Sequence, residues 1–151
     1  MLHNRLTRFI VWASVWLSVG LPLLSACNAG GSPAIDATRS WLQALADLNF
    51  KQVLELTCSN PQARTQVELR LDPLIDMQDT LQALKGKFDF GGLKFEELRN
   101  NDRAAVVRLS GKMFLQALGQ EQALDIYEEI TLVKESSEWK VCGNAANLLK
   151  F

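Results

Sequence analysis

Between residues 34 and 85 the apolar residues of this chain recur every three or four positions, and from Phe88 onward they recur every two. A period near 3.6 places residues on one face of a helix, and a period of two places them on one face of a strand. A single switch of period predicts helices first and strands afterwards, which is the signature of an α+β chain with an antiparallel sheet.

The helical half carries its own punctuation. Ser32-Pro33 offers an N-cap followed by proline at the first helical position. Ala34, Thr38, Trp41, Leu42, Leu45 and Leu48 then form one stripe, which Asp47-Leu48-Asn49 ends. A second short helix is predicted over Lys51–Thr57, carrying Val53, Leu54 and Leu56. Asn60-Pro61 and Asp72-Pro73 repeat the cap-plus-proline signal, so helices are expected at about 61–71 and 73–85. In the strand half, Ala105, Val107, Leu109, Gly111, Met113 and Leu115 share one face while Arg108, Ser110 and Lys112 share the other. Leu124, Ile126, Ile130 and Leu132 alternate with Asp125, Tyr127, Glu129 and Thr131, and Trp139–Cys142 makes a last short strand. Asn100-Asn101-Asp102, Gly119-Gln120 and Ser136-Ser137 supply turns. With no second sheet in the pattern, the helices must cover the apolar face.

The first 27 residues follow a different logic. A short basic stretch with Arg5 and Arg8 leads into the apolar run FIVWASVWLSVGLPLL and then Leu24-Ser25-Ala26-Cys27. This segment resembles a bacterial lipoprotein signal, whose lipobox is a leucine, two small residues and a cysteine. The resemblance implies cleavage between Ala26 and Cys27 and lipid modification of the Cys27 thiol. The alternative, an uncleaved membrane anchor, fits poorly, because an apolar run of 16 residues is short of the roughly 20 a span needs. The domains expected are therefore a signal peptide over 1–26, the lipidated cysteine and a flexible tether over 27–33, and one α+β domain over 34–151. The resemblance also implies, through Asn28 after the cysteine, sorting to the outer membrane if the cell has two. Residues 27–151 hold 14 basic against 17 acidic residues, so the mature domain is mildly acidic and has no footprint for nucleic acid.

The mature domain looks like the NTF2-like (cystatin-like, SnoaL-type) superfamily, and specifically its small extracytoplasmic lipoprotein members. The likeness rests on Ala37–Leu45, on a helix ending Leu56-Thr57-Cys58, on the strand through Tyr127–Val133 and on the closing Glu135-Ser136-Ser137-Glu138-Trp139-Lys140-Val141-Cys142-Gly143. One departure is Leu48-Asn49-Phe50 where relatives carry a Gly-Asp turn. The resemblance implies a curved antiparallel sheet with the N-terminal helices packed on one face, a cone that can enclose a pocket. Members of that superfamily include isomerases, dehydratases, cyclases and non-catalytic modules, so the fold does not choose the function.

Few residues offer chemistry. The only histidine is His3, so the mature domain has none for acid–base work, a serine triad or a metal site. Glu128 falls on the apolar side of its strand, where a carboxylate is costly unless paired. It reads as a pocket carboxylate, as the product of a bulge that turns it outward, or as a partner of Arg103 or Arg108. Trp41 and Trp139 read as pocket walls or, more commonly, as core. Cys58 and Cys142 are the only cysteines after Cys27, and outside the cytoplasm such a pair is expected to form a disulfide, two separate buried thiols being the alternative. Cys142 alternates out of phase with Val141, so a bond to the helical layer would require a bend at the strand end.

The expected function is a membrane-anchored extracytoplasmic lipoprotein acting as a non-catalytic binding or assembly module, without cofactor or metal. The alternative is a small isomerase- or cyclase-type enzyme using Glu128. The partners expected are the membrane through Cys27, an unidentified protein or small ligand, and a second copy of the chain in a homodimer.

Overall fold

The computed structural model describes residues 31–150. The leader, the Ala26–Cys27 cleavage site and most of the tether lie outside those residues. Four helices come first: α1 (Pro33–Ala46), α2 (Phe50–Glu55), α3 (Pro61–Asp76) and α4 (Gln78–Ala83). Strands β1 (Lys87–Asp89), β2 (Leu93–Asn100), β3 (Ala104–Ala117), β4 (Gln120–Glu135) and β5 (Glu138–Val141) follow, and a 3-10 turn over Ala145–Leu149 ends the described chain.

The caps are the ones the sequence offers. The Ser32 hydroxyl accepts from the Ile35 amide at 3.2 Å, and the Asn60 side chain accepts from the Ala63 amide at 3.0 Å. Pro33 and Pro61 are the first residues of α1 and α3. Pro73 behaves differently. The expected break at Asp72-Pro73 is absent, and α3 runs through to Asp76, with the interruption at Met77 instead. Val67, Leu71 and Leu74 form one buried stripe across the proline, and keeping that stripe on the core outweighs a penalty of about 3 kcal/mol. The carbonyl that Pro73 cannot satisfy belongs to Leu69, an exposed residue, where water can reach it.

At the end of α1, Leu48 takes φ +54°, the left-handed conformation that a glycine adopts at little cost. The Asn49 amide then bonds the Ala44 carbonyl at 2.8 Å and closes the helix. Leu48 is nearly fully buried, and that burial offsets about 1–2 kcal/mol of backbone strain.

The sheet is antiparallel and strongly curled, a half-barrel. β3 is its axis. On one side it pairs β4 in unbroken register from Ala104↔Val133 to Ala117↔Gln120. On the other side it pairs β2 with its first half and β1 with its second. The chain passes between those two partners at Gly91-Gly92, where a Cβ on Gly111 would sit 2.3 Å from the Gly92 carbonyl oxygen. Gly111, at φ +131°, is thus required by the close approach. β5 pairs the end of β4.

The helices cover the apolar face, and the fold is α+β and cone-like as expected. Trp41 and Leu45 of α1 belong to one core with Val107, Leu109, Met113, Ile130, Leu132 and Val141 of the sheet. Val53, Val67 and Leu71 extend that core through α2 and α3. The 3-10 turn adds Ala145, Leu148 and Leu149 against α3 and β4.

Candidate functional site

The cysteines meet. Cys58 and Cys142 form a disulfide with Cα atoms 5.1 Å apart. The bend anticipated at the strand end is unnecessary, because the bond is lateral. Residues 56–58 run parallel to the end of β5: the Val141 amide donates to the Leu56 carbonyl at 2.9 Å, and the Cys58 amide donates to the Val141 carbonyl at 2.8 Å. The seam continues outward. Ser59 donates from its amide and its hydroxyl to the Glu135 carboxylate, each at 2.9 Å, and Lys140 Nζ reaches the Glu55 carbonyl at 3.2 Å.

Glu128 stays on the inner face of the sheet, opposite the buried Leu109, in a stretch of β4 with no bulge. Neither outward rotation nor pairing with Arg103 or Arg108 accounts for it. Its Oε2 accepts from Asn147 Nδ2 of the 3-10 turn at 3.2 Å. That turn closes the open side of the cone beside β4, and the Asn144 side chain secures it further by donating to the Glu129 carbonyl at 3.1 Å. Asn147 had no signal in the sequence, where nothing after Cys142 is periodic. Arg108 belongs to the opposite face, bonded to Glu129 at 2.8 Å and to Glu96 at 3.2 Å, with its guanidinium over the exposed ring of Tyr127.

Trp41 is wholly buried, and its indole N–H donates to Thr57 Oγ1 at 3.0 Å; the Thr57 hydroxyl in turn donates to the Val53 carbonyl at 2.8 Å. This chain of bonds ties α1 to the end of α2, so Trp41 is a core residue. Trp139 is half-buried at the β4–β5 end of the sheet, with Lys134 Nζ 5.9 Å from its ring centre. Glu128, Trp41 and Trp139 each have a partner of their own, Asn147, Thr57 and Lys134 respectively.

A cleft of about 680 Å³ lies between α1 and the β1–β2 edge. Its floor is apolar, made by Leu42, Phe88, Phe90 and Phe95, and its rim carries Arg39, Lys87, Asp47 and Asp89. Phe88 and Phe90 stack with centroids 6.3 Å apart, and the Arg39 guanidinium lies 5.0 Å from the centre of Phe95. Both acids are already engaged: Asp47 accepts from Gln43 at 2.9 Å, and Asp89 accepts from the Gly91 amide at 2.8 Å. Such a cleft can seat an apolar or aromatic group beside charges of both signs, and it holds no nucleophile–base pair. The sequence signal it left is Phe88-Asp89-Phe90-Gly91-Gly92, two aromatics two residues apart before a glycine turn.

The shifted titrations lie outside this cleft. The hydrogen bond from Lys140, reinforced by its charge, lowers the Glu138 carboxyl below the usual carboxylate range. The bond to Glu129 raises Arg108 further above its already high value. Among the described residues no cluster of His, Cys, Asp and Glu is grouped as a metal site, and no helix is long and apolar enough to cross a membrane.

No protein-family model matches this chain, and no curated protein does so either.

Proposed function

We propose that the protein is a lipoprotein anchored to the outside of a bacterial membrane through Cys27, whose NTF2-like domain is a non-catalytic binding or assembly module. The observation that carries the second half of this reading is the packing of the cone. Trp41, Leu45, Val107, Leu109, Met113, Ile130 and Leu132 fill the space between α1 and the sheet, each at most 1% exposed. Glu128, the one inner-face carboxylate of β4, is bonded to the turn that closes the cone. A filled cone gives a substrate no interior site. The Cys58–Cys142 bond supports an oxidising compartment, since structural disulfides are rare in the cytoplasm. The lipobox-like Leu24-Ser25-Ala26-Cys27 supports the anchor.

Two measurements test the reading. Intact mass of the protein from a membrane fraction should give a chain that starts at an acylated Cys27; an unmodified Cys27 in a chain starting at Met1 would refute the anchor. Assays with isomerase and dehydratase substrate panels should stay at background. Turnover that Glu128→Gln abolishes would instead establish the enzyme.

A further inference from the structure

The described chain begins beside the cleft. A Cβ on Gly31 would stand 2.5 Å from Asp36 Oδ1 and 3.1 Å from Arg39 Nη1, so the backbone before α1 lies against side chains of that helix's first two turns. The same Arg39 guanidinium lies over Phe95, and both residues line the cleft between α1 and the β1–β2 edge. The Ser32 hydroxyl, bonded to Glu97 of β2, holds this start of the chain beside the same strand. One side chain, Arg39, thus joins the start of the chain to one end of the cleft.

The cleft selects by its floor. Its rim sets Arg39 and Lys87 against Asp47 and Asp89, and the two acids already accept from Gln43 and from the Gly91 amide. The rim therefore has no excess charge to draw an ion of either sign. Phe90 and Phe95 are only half-buried and give the cleft aromatic surface. An occupant that is apolar, narrow and without hydrogen-bonding demands suits such a site.

Resting on the lipid-anchor reading above, we infer that the cleft is an acyl-chain site, occupied by a fatty acyl chain of the protein's own Cys27 lipid when the protein is off a bilayer. Cys27 is four residues before Gly31, a stretch that spans about 14 Å at most. Along α1 the cleft runs from Arg39 to Asp47, about 12 Å at the helical rise. The whole cleft is therefore within reach of the Cys27 thiol, and the acyl chains extend further. Asn28, Ala29 and Gly30 offer no apolar side chain larger than a methyl, so the lipid is the one large apolar group that the mature chain brings to this place. Away from a bilayer an acyl chain is driven onto apolar surface, and the short tether keeps this surface at high effective concentration.

The test uses the full protein from cells grown on palmitic acid that carries a diazirine near the end of its chain. The protein is purified from membranes in octyl glucoside, diluted below the micelle concentration and irradiated, so that the acyl chain bonds covalently to what it touches. Trypsin then releases residues 27–39 with the lipid, and the cleft in residues 40–51 and 88–94. The expected product, from monomeric protein, is 27–39 joined to 88–94 or to 40–51. Phe90→Glu, with its near-UV circular dichroism preserved, should remove most of that product; an unchanged yield overturns the role of the floor. Joining to 65–70, which holds the exposed Leu69, or to 113–134, which holds the exposed Leu118, overturns the site in the parent protein, whether or not the variant folds. A covalent dimer would make the occupant a second copy's lipid, and 88–94 carrying a lipid without 27–39 would make it a bound phospholipid; either overturns self-occupancy. Intact mass before irradiation separates these failures from a failure of the anchor: a chain without lipid removes the reading and the inference together.

Discussion

Breaking the Cys58–Cys142 bond should cost this domain several kcal/mol of stability, and the structure says how the cost divides between variants. The bond spans 84 residues, for which the chain-entropy relation gives about 4.5 kcal/mol. For a domain near 120 residues that corresponds to a fall in Tm of about 18 °C. Cys58→Ala and Cys142→Ala each remove the same cross-link, so their losses should agree. The serine variants should not agree. Cys58 is wholly buried and Cys142 is only half-buried, so Cys58→Ser should lose a further 1–3 kcal/mol, roughly, for a hydroxyl placed in apolar surroundings. Urea unfolding followed by tryptophan emission reads both quantities, and loss of the cross-link should also raise the slope as the unfolded chain expands. Alanine variants that differ clearly from each other, or that leave the midpoint where it was, would refute the reasoning. In that case the backbone bonds between residues 56–58 and Val141 would be holding the seam by themselves.

Other expectations follow from single positions. Gly111→Ala should destabilise by about 2 kcal/mol or more, because it combines φ +131° with a Cβ 2.3 Å from the Gly92 oxygen. Gly119→Ala, at φ +75° in open space, should cost about 1 kcal/mol, and urea midpoints of the two variants give the comparison. Leu109→Ala should cost about 2–5 kcal/mol, as for other fully buried leucines, read in the same titration. Glu138 titrates below its ordinary range when folded, so its contribution is present above the unfolded value and is lost as pH falls through the lowered one. Glu138→Gln should therefore narrow the stability margin near neutral pH, and the gap to the parent should close in acid. Glu138 is exposed, so salt should screen the effect, although the Lys140 side chain is mostly covered.

The parts of the fold that were legible in the sequence are those set by local chemistry. Ser32 and Asn60 could be recognised as caps because a short side-chain oxygen before a proline has little else to do at a helix start. The long β3–β4 pairing could be recognised because one face of each strand is apolar over many residues. The illegible parts are settled by distant contacts. Pro73 remains inside α3 because Leu71 and Leu74 on either side of it face the same core, which a local breaker rule cannot register. Leu48 takes a glycine's conformation because its side chain finds a buried place. The lateral path of the disulfide depends on residues 56–58 joining β5, a pairing of strands that no period announces. The 3-10 turn is too short to display a period, and so the partner of Glu128 was hidden. Of the suggested pocket residues, each lies on an inward or half-buried position, but alternation fixes only the face and not the neighbours. The cleft beside α1 forms where β2 gives way to β1 along β3, a geometry set by Gly92 and Gly111.

The two edges of the sheet are protected in different ways, and this bears on what the domain can present to others. An uncovered edge strand invites pairing with another chain. At β5 the edge is occupied, since residues 56–58 hydrogen-bond along Val141 and the disulfide locks them there. At β2 the pairing with β3 shifts register between Glu97 and Arg99, which makes a bulge, and the strand carries Lys94, Glu96, Glu97 and Arg99. A bulge twists the edge out of line, and each charge would have to be desolvated for a partner strand to dock. The bulge also serves the fold: by adding one residue it keeps Glu97 and Asn100 on the inner side, where both reach the start of α1 through the Glu97 carboxylate. The feature that disfavours strand addition is thus the same one that fixes where the chain leaves the domain. Among the described residues, the edge that lacks a covering segment is also the edge beside which α1 begins.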